Sequence, residues 1–239
     1  MIAQSELMIL IQFPHIRRRS MPMTPLTWIT FIFMTAALGG CAGIGGPSES
    51  PFTYKDIQID TASAGTGDGS TIQFKGNPLP LSGLPLQVGD TLRSANLAKG
   101  DLSLIDVTET GRSVRIINIV PSLDTKVCEQ QTHYLSEKNQ GLDQHVDLIT
   151  ISVDTPFAQA RFAKEAGIAN VTFLSDFRGG TFGQTHGLLL EGPHVLARTV
   201  LVVDRQNVIR HLQVTPDLGH MPDMENAFQV ARSLVNEKS

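Results

Sequence analysis

The sequence is poor in cysteine, carries no excess of positive charge and contains no long apolar run. Two cysteines, Cys41 and Cys128, in 239 residues are too few for a disulfide scaffold of the small secreted kind or for a four-thiolate zinc site. They leave one disulfide, two inert thiols, or two sites with separate tasks. Lys and Arg number 19 against 23 Asp and Glu, a net charge of −4. Nothing is left over to neutralise a phosphate backbone, which excludes a strongly basic nucleic-acid binder. With 41% hydrophobic and only 18% charged residues the chain is too apolar for general disorder. There is no Cys-x-x-Cys, since Gln131 stands three residues after Cys128, and that counts against a dithiol oxidoreductase. Asp124 and Thr132 stand where a Cys-x-x-x-Cys copper site would need its second thiol. His186, His194, His211 and His220 have no ligand-like spacing and read as surface or core residues, so neither a metal nor another cofactor is expected.

The longest uncharged apolar stretch, Thr24 to Leu38, has about fifteen residues, short of the roughly 20 that a membrane-spanning helix needs. It follows Arg17, Arg18 and Arg19 and leads into Leu38-Gly39-Gly40-Cys41. Basic, apolar and small segments in that order read as an export signal. The ending resembles a bacterial lipoprotein signal. That resemblance implies cleavage before Cys41, a lipid on its sulfur and a lipid-anchored protein of the bacterial envelope facing the periplasm. Ala42, in place of Asp, points to the outer membrane. An ordinary signal followed by a plain thiol, or a retained anchor, are the alternatives. Residues 1–40 are therefore read as an export signal. Residues 41–70, rich in Gly, Ser, Ala, Thr and Pro, read as a flexible tether. Residues 71–239, about 170 in number, suffice for one domain with a sizeable core.

Within that domain the pattern alternates. Thr71–Lys75 and Asn77–Leu81 flank Gly76, with Pro78 close behind it, predicting a short hairpin. Leu102–Val107, Ser113–Pro121, Val146–Val153 and Val171–Leu174 read as strands, the second and third as β-branched runs typical of strands covered on both faces. Asp124–Asn139 reads as a helix. Pro156–Glu165 opens with Pro and stops before Gly167, which predicts a second. Thr199–Val203 and Val208–Val214 flank Asp204-Arg205-Gln206-Asn207 and should pair as an antiparallel hairpin. Met224, Ala227, Phe228, Ala231, Leu234 and Val235 form one helical stripe within Asp223–Glu237. The class is α/β: a mixed central sheet flanked by helices, with an N-terminal β-hairpin, compatible with the thioredoxin fold.

Cys128 draws attention by its position. A buried strand ends at Pro121, a loop follows, and Cys128 falls in the first turn of the next helix. Sites in open α/β sheets lie at the C-terminal ends of strands, and a helix N-terminus favours a thiolate. Thr125, three residues earlier, is on the same face, and Pro121 brings no N–H. Cys128 and His133, five apart on the helix, fall on different faces and do not form a hydrolase pair.

Pro121-xxx-Thr125-xx-Cys128 resembles the peroxiredoxin active-site pattern. The wording Pro121-Ser122-Leu123-Asp124-Thr125-Lys126-Val127-Cys128 is similar to the bacterial thiol peroxidase subfamily. So are the blocks from Ser152-Val153-Asp154 to Arg161-Phe162 and from Leu174 to Arg178. The resemblance implies a thioredoxin fold, usually a homodimer, and reduction of hydrogen peroxide or organic hydroperoxides through a sulfenic acid on Cys128. It also implies that Arg198, ahead of the strand Thr199–Val203, stabilises the thiolate and orients the peroxide. The subfamily usually has a resolving Cys after the pair that here is Arg161-Phe162, and this chain has Ala163 there. The expectation is a one-Cys cycle, closed by an external thiol or a thioredoxin-like protein. The alternative is an envelope redox-sensing or binding lipoprotein without turnover.

Overall fold

The computed structural model describes residues 52–110 and 113–237, all within one compact unit, 47–239. The expected export signal, Cys41 and the first part of the expected tether lie outside the described residues. Among the described residues no helix is long and apolar enough to cross a membrane.

Residues 52–70 correct the expectation of a tether reaching Ser70. Phe52 stacks on His133 with ring centroids 3.9 Å apart. The Lys55 N–H donates to Gln130 Oε1 at 2.7 Å, and Gln130 Nε2 donates back to the Lys55 carbonyl at 2.9 Å. Strand β1 (Ile59–Asp60) pairs in parallel with a short strand near the C-terminus, Ile59 opposite Met221. The Ala64 N–H then bonds to the Val214 carbonyl and the Gly67 N–H to the Gly187 carbonyl, both at 2.8 Å. Composition misleads here because a glycine-rich stretch also suits close packing. Gly67 has φ 75°, and a Cβ there would meet the Pro85 backbone nitrogen at 2.6 Å, so only glycine fits the turn.

The rest follows the expected order with trimmed ends. Strands β2 (Thr71–Phe74) and β3 (Asn77–Ser82) form the N-terminal hairpin. Strand β4 (Asn96–Ala98) precedes β5 (Leu104–Asp106). The expected strand from Leu102 starts later because Leu102 has φ 66°, outside the strand region. Strand β6 (Val114–Ile119) leads to α1 (Lys126–Glu137), β7 (Val146–Ser152), α2 (Pro156–Glu165) and β8 (Thr172–Ser175). Helix α3 (Thr181–Thr185) and strand β9 (Leu189–Leu190) come before the hairpin β10 (Thr199–Val203) and β11 (Ile209–Val214). Strand β12 (Met221–Pro222) and helix α4 (Met224–Asn236) close the chain.

The central sheet has the order β11-β10-β6-β7-β8-β4-β5. Strands β6, β7 and β8 are parallel; β10 runs antiparallel to β6, and β4 antiparallel to β8. Side chains alternate between two apolar layers. Ile116, Leu148, Val200 and Val202 meet Leu135 of α1 and Phe228 of α4 on one face. Ile117, Ile149, Leu201 and Val203 meet the β2–β3 hairpin and Phe182 of α3 on the other. That is why all six residues of β6 are buried. The same parallel core brings the C-terminal ends of β6, β7 and β8 to one end of the sheet, where the loop leading to Cys128 leaves β6.

Candidate active site

Register places the first partner. Thr199 at the start of β10 lies opposite Ile119 at the end of β6. The residue before β10, Arg198, therefore faces the start of the loop that runs from Val120 to Thr125. Val120 and Pro121 are buried there, Ser122 is half-buried, and Leu123 turns back into the core beside Val120 and Cys128. Thr125 occupies the N-cap of α1 with extended backbone, yet its side chain makes no capping bond. A Thr there ordinarily accepts from a backbone N–H in the first turn. Here its hydroxyl donates to Cys128 Sγ at 2.9 Å. Thr125 is exposed whereas Cys128 is 0% exposed, so the hydroxyl forms the rim between sulfur and solvent.

Arg198 is 2% exposed, and each of its nitrogens has work. Nη2 donates to Cys128 Sγ at 3.4 Å and to the Leu218 carbonyl at 2.9 Å. Nε reaches the same carbonyl at 3.1 Å, and Nη1 donates to Gln131 Oε1 at 2.7 Å. Among the described residues no carboxylate stands within ion-pair distance of it. A guanidinium held by neutral acceptors keeps its full positive charge for whatever lies at the sulfur. The helix N-terminus adds partial positive charge from the same side.

Behind these groups lies a buried polar chain that sequence reading missed. Gln131 Nε2 donates to Asn118 Oδ1 at 2.6 Å. Asn118 Nδ2 donates to Thr150 Oγ1 at 3.0 Å and Thr132 Oγ1 at 3.3 Å. The Thr132 hydroxyl donates to the Cys128 carbonyl at 2.8 Å. Gln131, Asn118, Thr132 and Thr150 are all fully buried, where an unmet polar group would be costly. The signal available was Asn118, a lone amide inside the β-branched run of β6. Gln131 drew notice only because it is not a second cysteine.

The structure thus brings Cys128, Thr125 and Arg198 together, while Pro121 is buried in the loop that leads from β6 to them. Cys41 lies outside the described residues. Cys128 is the free thiol among the described residues. Ala163 follows Phe162, which packs against the Cys128 cluster. Among the described residues the histidines stand elsewhere. His133 pairs with Glu137 at 2.7 Å and stacks on Phe52. His220 pairs with Asp60 at 3.0 Å. His186 is buried and pushed down to about 4 by desolvation. Among the described residues no three His, Cys, Asp or Glu side chains gather into a metal-binding group.

A buried nucleophilic sulfur with two donors on it is suited to attack a small electrophile and to stabilise the anion that leaves. Known proteins point the same way. The redoxin family model matches residues 87–229, a span that takes in Pro121, Thr125, Cys128 and Arg198. A thiol peroxidase of Halalkalibacterium halodurans is 36% identical over 164 residues, covering 69% of this chain and 98% of that protein. One from Streptococcus sanguinis is 37% identical over 161 residues, 67% of this chain and 98% of that protein. Among solved structures, a peroxiredoxin-like protein from Aquifex aeolicus superposes with a TM-score of 0.64 at 35% identity, covering 69% of this chain and 96% of that one. A thiol peroxidase from Chromobacterium violaceum, at 22% identity and a TM-score of 0.60 over 71% of this chain and 98% of its own, shares the fold.

Proposed function

The chain belongs to the redoxin family and, within it, to the thiol peroxidases, and from that membership we propose that it reduces hydrogen peroxide and organic hydroperoxides through Cys128. The observation that carries this reading is the meeting of two donors on one sulfur: Thr125 Oγ1 at 2.9 Å and Arg198 Nη2 at 3.4 Å from Cys128 Sγ. The thiolate is the nucleophilic form of a cysteine, and both donors point at the sulfur that would carry its charge. The thiolate attacks one peroxide oxygen and the O–O bond breaks. Sulfur is oxidised to the sulfenic acid level, and the other oxygen leaves as water or an alcohol once it gains a proton. As negative charge moves from sulfur onto the peroxide oxygens, the Arg198 guanidinium can follow it without an opposing carboxylate.

The cycle closes from outside the domain. Ala163 stands where the subfamily resemblance places a resolving cysteine, and Cys128 is the free thiol among the described residues. A first external thiol displaces hydroxide from the sulfenic acid, giving a mixed disulfide and water. A second thiol, or the other half of a dithiol, then releases Cys128. The donor is a small thiol or a thioredoxin-like protein. We place the enzyme as a homodimer in the bacterial envelope, held by lipid on Cys41; the order Arg17-Arg18-Arg19, Thr24–Leu38 and Leu38-Gly39-Gly40-Cys41 supports the anchor. A lipidated Cys41 is a thioether and cannot resolve Cys128.

The test is consumption of hydrogen peroxide and an alkyl hydroperoxide by the purified mature protein with dithiothreitol as reductant. Turnover that disappears in Cys128→Ser is expected; a wild-type protein without turnover overturns the reading. Mass spectrometry of the mature N-terminus checks the anchor, and an unmodified Cys41 rules it out.

A further inference from the structure

The loop over Cys128, Pro121 to Thr125, belongs to no strand or helix, and its hold comes from the end of β7. Asp154, two residues past β7, offers both carboxylate oxygens to it. The Ser122 hydroxyl donates to Oδ1 at 2.7 Å, and the Leu123 backbone N–H donates to Oδ2 at 2.8 Å. The carboxylate is itself fixed. The Ser152 hydroxyl donates to Oδ2 at 2.8 Å and accepts from Gln159 Nε2 of α2 at 2.9 Å. Gln159 Nε2 also donates to the Leu174 carbonyl of β8 at 2.9 Å, and the Ser175 hydroxyl donates to the Asp154 carbonyl. Strands β7 and β8 and helix α2 thus all brace one residue. The ion pair that reaches the loop from α2, Asp124 to Arg161 at 3.6 Å, is exposed at both ends and therefore weak.

We propose that Asp154 is a positioning residue for the peroxidase reaction, setting the loop that presents the Thr125 hydroxyl to Cys128 and covers the sulfur. The proposal rests on the reading of Cys128 as the peroxide-reducing thiol. The transmission is short. The Thr125 N–H bonds to the Ser122 carbonyl at 3.2 Å, so Ser122, held by Asp154, fixes where Thr125 stands. Leu123, held by the same carboxylate, lies against Val120 and Cys128 and is 3% exposed. Two half-reactions then pull in opposite directions. Oxidation needs the loop in place, because the hydroxyl must meet the sulfur and the incoming peroxide. Attack by an external thiol needs the loop displaced, because a thiol is bulkier than a peroxide and must bring its own sulfur into line with a buried one. Asp154 favours the first step and restrains the second.

The experiment measures the two steps separately by rapid quench and intact-mass analysis of Cys128. Oxidation is followed with hydrogen peroxide, and loss of the sulfenic acid with dithiothreitol. Hydrogen bonds to an ionised group are worth enough that losing them should slow oxidation by about tenfold or more in Asp154→Ala. The same variant should lose its sulfenic acid to dithiothreitol several-fold faster. Asp154→Asn keeps the shape and one acceptor and should fall between wild type and Asp154→Ala in both steps. Ser122→Ala, which removes a single bond, gives a smaller shift with the same pair of signs and serves if Asp154→Ala does not fold. Both rates falling together, or both unchanged in folded variants, overturns the proposal. A wild-type protein that peroxide does not oxidise at Cys128 instead overturns the functional reading beneath it.

Discussion

Arg198 Nη2 lies 3.4 Å from Cys128 Sγ, and the oxygen that steadies the other end of the guanidinium, Gln131 Oε1 at 2.7 Å from Nη1, is neutral. A carboxylate in that position would hold the arginine at least as firmly, but would cancel much of the charge offered to the sulfur. Gln131→Glu, which also gives up the bond to Asn118 Oδ1, should therefore keep Arg198 paired and slow oxidation by peroxide about tenfold, the scale of one charge-assisted hydrogen bond redirected. Arg198→Lys, which cannot reach the Leu218 carbonyl, Gln131 and Cys128 at once, should slow it more. Stopped-flow measurement of peroxide loss under single-turnover conditions checks both, and a Gln131→Glu rate equal to wild type would refute the charge argument.

The Thr125 hydroxyl is the other donor, and its shape can be kept while its chemistry is removed. Thr125→Val should cost about a factor of ten in the oxidation step, and Thr125→Ser should restore most of it. Because Thr125 makes no side-chain cap bond to α1, the valine variant should melt close to wild type. A large drop in melting temperature would show that the hydroxyl serves the fold instead.

Stability should fall with acid well before the carboxylates titrate. His186 is fully buried; its Nε2 accepts from the Arg93 N–H at 3.1 Å, and its Nδ1–H donates to the Phe182 carbonyl at 2.8 Å. Both ring nitrogens are committed to the neutral form. Burial pushes the imidazole down to about 4 from its ordinary 6.5. The unfolded chain thus takes up a proton near pH 6.5 that the folded chain refuses until about pH 4. Its contribution, on the order of 3 kcal/mol, is present above pH 6.5 and is lost as the pH falls through that window. His211, also pushed down by burial, adds with the same sign. Urea unfolding at several pH values should show this slope, and His186→Gln should flatten it. An unchanged slope in that variant would assign the effect elsewhere.

Ala163 offers a gain-of-function test. Ala163→Cys restores a thiol where the subfamily pattern has one, next to Phe162 at the edge of the Cys128 cluster. After one equivalent of peroxide the variant should hold an intramolecular disulfide, read as a loss of two hydrogens and a shift on a non-reducing gel, where wild type holds a sulfenic acid. A variant that stays a sulfenic acid would mean that the first turn of α1 does not open far enough for the two sulfurs to meet.

Local sequence was enough to find Cys128 and Thr125, because their spacing lies within one helical turn and the loop before it. The buried runs of β6 and β7 were legible for the same reason: every residue of β6 is covered, so the apolar pattern is continuous. Arg198 came only through family resemblance, since nothing in Leu196-Ala197-Arg198-Thr199 announces that register will set it beside β6. The Leu218 carbonyl that holds it has no side-chain signature at all. Gln131 and Asp154 act through partners 67 and about 31 positions away along the chain, a relation that periodicity does not record. Strands β1, β9 and β12, of two residues each, are too short to show any period. The expected tether failed where average composition hid four apolar side chains, Phe52, Tyr54, Ile57 and Ile59, within eight residues of one another.

That N-terminal segment changes how mechanical load would enter the molecule. A pull on the chain ahead of Phe52 is transmitted first to the stacked His133, the paired bonds between Lys55 and Gln130, and the Tyr54 hydroxyl on Glu137 at 2.8 Å. All three anchoring residues, Gln130, His133 and Glu137, belong to α1, the helix that carries Cys128. Tension therefore reaches the helix of the reactive sulfur before it reaches the β2–β3 hairpin or the sheet.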